Sequence, residues 1–403
     1  MLIFKNGTII SMDDSKPFKF QGDILINDKG KIEAVKTDLD TPVGSETRVI
    51  DVSGKVVMPG MIDIHTHLGL FEEGLSFEGD DVNEETDPIT AELRAIDGIN
   101  PMDKGLEDAS KNGITSTVIS PGSANPVAGL TAAVKTHGKI IDKMLIKEPA
   151  SLKMAFGENP KSLYHGKDKT PMTRMATAAL IRKSLVEAEN YIKELKQEKK
   201  NNDNKDDKDD KDNKDDKGTD RDLQKETLAL ALNNEIPVKA HAHRADDILT
   251  ALRISKEFGF DIIINHCTEG HKIADVLKEY NYPVILGPTL TGRSKVELRE
   301  LSFKTPKIMA EEGILFAIST DHPVIPIYAL PICAAMAVRE GLNRDKALRA
   351  ITIDAAKIAG IDNRVGSLEQ GKDADIVVFS GDPLNLETKP EKVFIEGKEI
   401  IPH

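Results

Sequence analysis

The chain has 403 residues, 39% of them apolar, a formal net charge of -13 and two cysteines, Cys267 and Cys333. That length suits one large α/β domain with an accessory piece rather than a single small core. The negative balance excludes a non-specific nucleic-acid binder, the cysteine count excludes a disulfide framework, and no run approaches the roughly 18 apolar residues of a membrane span.

Residues 2–57 alternate short apolar runs with turn residues. Leu2-Ile3-Phe4 leads through Asn6-Gly7 to Thr8-Ile9-Ile10, and Asp23-Ile24-Leu25-Ile26 leads through Asp28-Lys29-Gly30 to Ile32-Glu33-Ala34-Val35. Both read as hairpins. The same style returns at Ala374–Phe379 and Lys392–Lys398, so residues 1–57 and 359–403 are expected to build one small β-sandwich from both termini. The first residues lack the charged-then-apolar layout of a signal peptide, which predicts a soluble, cytoplasmic protein.

The stretch Val56–Met58, Pro59-Gly60, Met61–His67 reads as a strand buried on both faces, ending in His65-Thr66-His67. On a strand, residues i and i+2 share a face, so the two imidazoles project together about 7 Å apart. That spacing suits two ligands of one divalent metal. Between residues 58 and 358, strand candidates alternate with helical stretches: Thr115–Ile119, Leu152–Phe156, Val238–His241, Asp261–His266, Pro283–Leu286 and Ile314–Ile318. The count predicts an α/β chain with a parallel, eight-stranded (β/α) barrel of the TIM type. Asn125-Pro126 and Gly129 read as a scaffolding loop after the second strand. Residues 199–217 contain only Lys, Asn and Asp, and are expected to be a disordered surface insert.

Functional groups in such a barrel cluster at the C-terminal ends of the strands. His65, His67, His241, His266 and Asp321 each end a predicted apolar strand. Imidazoles with a carboxylate suit zinc, with iron or manganese as alternatives. Lys153 would be an unusual buried charge inside its strand, and Glu158 follows the same strand. His243 shares a face with His241 if the strand continues, and Arg244 and Arg293 could hold a substrate carboxylate. Residues 72–87 carry eight carboxylates and no Lys or Arg. They follow the first barrel strand, where a lid over the barrel mouth would disfavour anionic substrates.

Pro59-Gly60-Met61-Ile62-Asp63-Ile64-His65-Thr66-His67 resembles the first-strand signature of the amidohydrolase superfamily. Ser319-Thr320-Asp321-His322 resembles its eighth-strand aspartate, and residues 366–375 its return into the sandwich. The likeness spans all but the 199–217 insert and is nearest in style to the imidazolonepropionase-related, prolidase-like branch. It implies a distorted barrel and hydrolysis of an amide or cyclic-amide C–N bond through a metal-activated hydroxide. By position, His65, His67, His241 and Asp321 would hold a metal, His266 would join a second site or contact substrate, and Asp321 would be the catalytic proton carrier. Lys153, if carboxylated, or Glu158 would bridge two metals; with neither, one metal remains. The implied substrate is a small, possible amino-acid derivative, with no nucleic-acid or membrane partner, and a homo-oligomer would be ordinary. Deamination of a ring amidine is the alternative within the class, and a non-catalytic interaction module is the alternative outside it.

Overall fold

The computed structural model describes residues 1–39, 47–205 and 220–400. Its strands are β1 Leu2–Ile10, β2 Lys19–Ile26, β3 Ile32–Lys36, β4 Arg48–Asp51, β5 Val56–Pro59, β6 Met61–Thr66, β7 Ile114–Ile119, β8 Val127–Leu130 and β9 Ala132–Lys135. They continue with β10 Leu145–Lys147, β11 Leu152–Ala155, β12 Val238–Ala242, β13 Ile262–His266, β14 Val284–Leu286, β15 Phe316–Ile318, β16 Ile376–Phe379, β17 Pro390–Ile395 and β18 Lys398–Ile400. Helices fill the intervals between the later strands, giving an α/β fold. Among the described residues no helix is long and apolar enough to cross a membrane.

Both chain ends meet in one eight-stranded sheet, ordered β18-β17-β16-β5-β1-β2-β3 with β4 beside β1. Both termini thus contribute to one unit, as expected, and their strands form a single sheet that curls. β1 and β17 stand three places apart in that order, about 14 Å in a flat sheet, yet the Phe4 and Phe394 rings meet edge to face at 5.0 Å. The Asp28–Gly30 turn joins β2 to β3 as the sequence predicts, whereas Asn6-Gly7 makes no hairpin. β1 runs straight through it with a bulge between Phe4 and Gly7. Asn6 takes a positive φ of 65° there. Three-residue arms are too short to stand as a hairpin, and β2 offers one continuous partner along the whole segment.

The long apolar run around Gly60 is likewise two strands in two sheets. β5 pairs with β1 and β16, and β6 pairs with β7. Gly60 marks the crossing, where a Cβ would meet Thr115 Oγ1 at 2.0 Å. Two further sheets follow the orders β10-β9-β7-β6 and β15-β14-β13-β12-β11-β8. Strands β11 to β15 are parallel neighbours. Of the residues read as a scaffolding loop, Asn125-Pro126 do lie in a loop, but Gly129 lies in β8, which Thr131 joins to β9; the two strands run antiparallel to β11 and β7 respectively. The glycine misled the reading: Gly129, at φ 124°, lets the backbone approach Leu93 O, which a Cβ would meet at 2.4 Å.

A helix at Arg174–Lys205 carries the chain into the Lys/Asn/Asp run. Residues 199–205, expected to be disordered, are thus helical, because extending a formed helix costs far less than nucleating one. Residues 206–217 of that run lie outside the described residues.

Candidate metal centre

The site forms where β6, β12, β13 and β15 end. His65 lies on β6 and His67 just past it, while Asp321 follows β15 with a positive φ of 57°. Asp63, two residues before His65 on the same buried face, holds these two strands together. It accepts hydrogen bonds from Thr320 N and Oγ1 and from His65 N. Burial raises the Asp63 carboxyl to about 7 against those bonds. Asp321 Oδ1 then stands 3.1 Å from His65 Nε2 and 3.5 Å from His67 Nε2.

On the other side, His241 is the last residue but one of β12 and His266 ends β13, with ring centroids 4.5 Å apart. His243 lies one step beyond β12 and stacks on His266 at 4.4 Å. Among the described residues, His65, His67 and Asp321 form one group that could hold a metal ion, and His241, His243 and His266 form another. The two meet through His65 and His266, whose centroids are 5.2 Å apart.

Several features of these residues fit a divalent metal. Burial holds His65, His241 and His266 well below the ordinary imidazole range, and His243 at about 3, so these rings are neutral and present lone pairs. His67 Nδ1 donates to Ser120 O and His266 Nδ1 to Gly287 O, both at 2.7 Å. A carbonyl can only accept, so each bond places the proton on Nδ1 and the lone pair on Nε2, the tautomer usual around a bound metal; in His266 that Nε2 accepts from Asn265 Nδ2 at 2.9 Å. His65 Nδ1, His241 Nδ1 and Glu297 Oε1 are buried without a hydrogen-bond partner.

Of the residues expected at the site, His65, His67, His241, His266 and Asp321 are brought together. Lys153, fully buried on β11, reaches His65 Nε2 at 3.4 Å. Burial brings its amine down to about 8. His243 joins the His241 group and, like His241, lines the cavity above it. Glu158 opens the helix Glu158–Gly166, and its carboxylate accepts from Glu297 N at 3.0 Å rather than facing a histidine.

The two arginines are engaged elsewhere. Arg244 forms a two-pronged pair with Asp246, both bonds 2.9 Å. Arg293 donates to Arg299 O and Leu301 O. Neither lines the cavity above the histidines, because each guanidinium finds acceptors within its own loop. That cavity measures about 500 Å³, and His67, His241, Asp321, Asn159, Lys295 and Phe71 are among its lining residues. Of the loop at 72–87, Val82 and Asn83 face it, while Glu78, Asp80, Asp81 and Glu84 line a neighbouring cavity. Those four carboxylates therefore line a different cavity, whereas Glu73 Oε1 stands 3.5 Å from His322 Nε2, the residue after Asp321.

Sequence reasoning passed over Asp63, Lys239 and Glu297. The first two had a signal, since each lies two residues before a site histidine on the same strand face. Lys239 is buried and donates to Ile64 O at 2.8 Å, beneath the histidines. Glu297 had none. It sits in a loop after β14 with no strand periodicity, and only folding brings it to His241 and His243.

An α/β chain with neutral histidines and an aspartate gathered at strand ends defines a metal-type hydrolase. The chain belongs to the amidohydrolase family, whose profile matches residues 56–400, and it is a hydrolase of C–N bonds acting on small molecules. It is 41% identical to an amidohydrolase from Thermotoga maritima MSB8 of known structure, with a TM-score of 0.92 and full coverage of both chains. It is 28% identical to the amidohydrolase tasK of Hapsidospora irregularis over 93% of this chain, spanning only 39% of that protein. It is 24% identical to the imidazolonepropionase of Idiomarina loihiensis over 93% of this chain and 90% of the other.

Proposed function

We propose that the chain hydrolyses an amide or cyclic amide of a small, amino-acid-derived substrate, with zinc held by the two histidine groups. The observation that carries this is Asp321, set against His65 and His67 at the floor of a cavity of about 500 Å³. His65, His67 and Asp321 would hold one ion, and His241 and His266 a second. Lys153 is the better candidate to link them, because Glu158 is tied to Glu297. A bound divalent ion polarises the scissile carbonyl and lowers the pKa of water from 15.7 to about 7.

The protein's own groups do the rest. Asp321 takes the proton released as the nucleophile attacks and delivers it to the leaving nitrogen. Asp63, bonded to Thr320, keeps that carboxylate aimed at His65. Lys295 is the one cationic side chain lining the cavity among the described residues, and it anchors a substrate carboxylate. Asn159, bonded to Lys295 Nζ at 2.6 Å, holds the ammonium in place.

In the same reading, β6 to β15 form a distorted barrel, and the domains follow the expected 1–57, 58–358 and 359–403 except at the first boundary. Support for closure comes from Thr131, which joins the two inner sheets, and from His67 N bonding to His322 O at 2.9 Å across their other edge. The first domain boundary moves to Gly60, since β5 pairs in the terminal sheet. A cytoplasmic setting belongs to the same reading.

The test is a panel of N-acyl amino acids, dipeptides and cyclic amides, assayed before and after chelation. Turnover lost to the chelator and restored by zinc is expected. Full activity in the metal-stripped chain would sink the proposal.

A further inference from the structure

We propose that Glu297 and His243 are metal ligands, forming with His241 a divalent-cation position distinct from the one at His65, His67 and Asp321. This rests on the reading of the chain as a metal-dependent hydrolase and adds two ligands that neither the sequence nor the family likeness assigns.

His241 Nε2 and His243 Nε2 each lie 3.7 Å from the same atom, Glu297 Oε1. That is too long for a hydrogen bond. It is close to the ~3.4 Å that separates two ligand atoms bound tetrahedrally at about 2.1 Å from one ion. A cation seated among the three would displace Asn159 Nδ2, which stands 3.4 Å from His241 Nε2.

The carboxylate is built to stay where it is. Glu297 is 1% exposed. Its Oε2 accepts from Glu158 N at 3.2 Å, and Glu158 Oε2 accepts in return from Glu297 N at 3.0 Å. This reciprocal pair fixes the side chain and leaves Oε1 buried with no hydrogen-bond partner. Lys295 Nζ stands 4.0 Å from Oε1, beyond bonding reach, and is committed to Asn159 Oδ1. A buried carboxylate oxygen without a partner is strongly unfavourable, and a divalent ion would offset that cost. His243 is prepared in the matching way. Its Nδ1 is bonded to Thr268 Oγ1 at 2.7 Å, which leaves Nε2 directed at Glu297.

The experiment is equilibrium titration of the chelator-stripped full chain with Co²⁺, followed by its visible absorption. Wild type, Glu297→Gln, His243→Asn and His65→Asn are compared. Gln keeps the oxygen that accepts from Glu158 N, and melting curves of the stripped proteins report whether each variant folds. In wild type, two binding components are expected. Glu297→Gln and His243→Asn should each weaken one component on the order of 100-fold or more, and His65→Asn the other. Isotherms and spectra of Glu297→Gln that superimpose on wild type would overturn the assignment while leaving the hydrolase reading intact. If Glu297→Gln does not fold, an unchanged isotherm for His243→Asn does the same. A wild-type chain that binds no Co²⁺ would overturn both.

Discussion

At the residue scale, the site depends on groups kept out of water in the form that can act. Asp321 is held by backbone geometry, at a positive φ, and by the Asp63–Thr320 bonds behind it. Replacing Asp321 with Asn preserves that geometry and removes the carboxylate proposed to carry the proton. The expected result is a fall in kcat of about 10²- to 10⁴-fold, with the melting temperature of the stripped chain unchanged. Lys153 makes a complementary case. Its amine is buried and touches only the site, so Lys153→Met should abolish activity without lowering thermal stability. Parallel loss of both would show that Lys153 is structural. Lys295 acts at the cavity wall, and Lys295→Met should raise KM for carboxylate-bearing substrates far more than it lowers kcat. Equal KM for acids and their amides in both proteins would remove it from recognition.

At the scale of elements, strand ends are placed by close backbone approaches. Gly287 follows β14 with φ 147°, and a Cβ there would meet Ser319 O at 2.1 Å. The same residue's carbonyl fixes the tautomer of His266. Gly287→Ala therefore strikes packing and chemistry together. A loss of about 3 kcal/mol in denaturant unfolding is expected, with weaker metal retention. A well-folded alanine variant of unaltered stability would show that β14 and β15 can separate there. Gly60 plays the corresponding part between β5 and β6 against Thr115, which is why the Pro-Gly break falls between two sheets and not within one strand.

At the scale of the whole molecule, the terminal sheet is fastened to the inner one by buried charges. Lys135, on β9, pairs with Asp373 at 2.9 Å and Asp375 at 2.6 Å. Arg364 adds a second contact to Asp373 at 3.0 Å, and Lys31, from the turn before β3, a third. Burial by itself would push the Asp373 carboxyl up; Lys135, Lys31 and Arg364 outweigh it and hold it below the usual carboxylate range. A carboxyl with a depressed folded value contributes stability that is fully present above its unfolded value, near pH 4, and is lost as pH falls through the folded value. Asp373→Asn should thus cost about 3 kcal/mol at neutral pH, and the gap to wild type should close below about pH 4. A gap independent of pH would mean that the contribution is packing and not charge.

How much of this was legible beforehand follows from the range of each interaction. The alternation and apolar runs that make β6, β12, β13 and β15, and the polar residues that end them, are local properties. His65, His67, His241, His266 and Asp321 could therefore be read from the chain, and so could the α/β class. The places where the reading failed are those where distant backbone decides. Asn6-Gly7 became a bulge because β2 was there to pair with it, and the Gly129 segment became a strand because β11 offered a free edge. Glu297 met His241 and His243 only through a loop whose path carries no periodicity. By itself the sequence determined which side chains could bind a metal and which strands would carry them. Tertiary structure alone decided how they were shared between two groups and which buried carboxylate completed them, because register, sheet curl and loop closure are set by contacts between residues far apart in the chain.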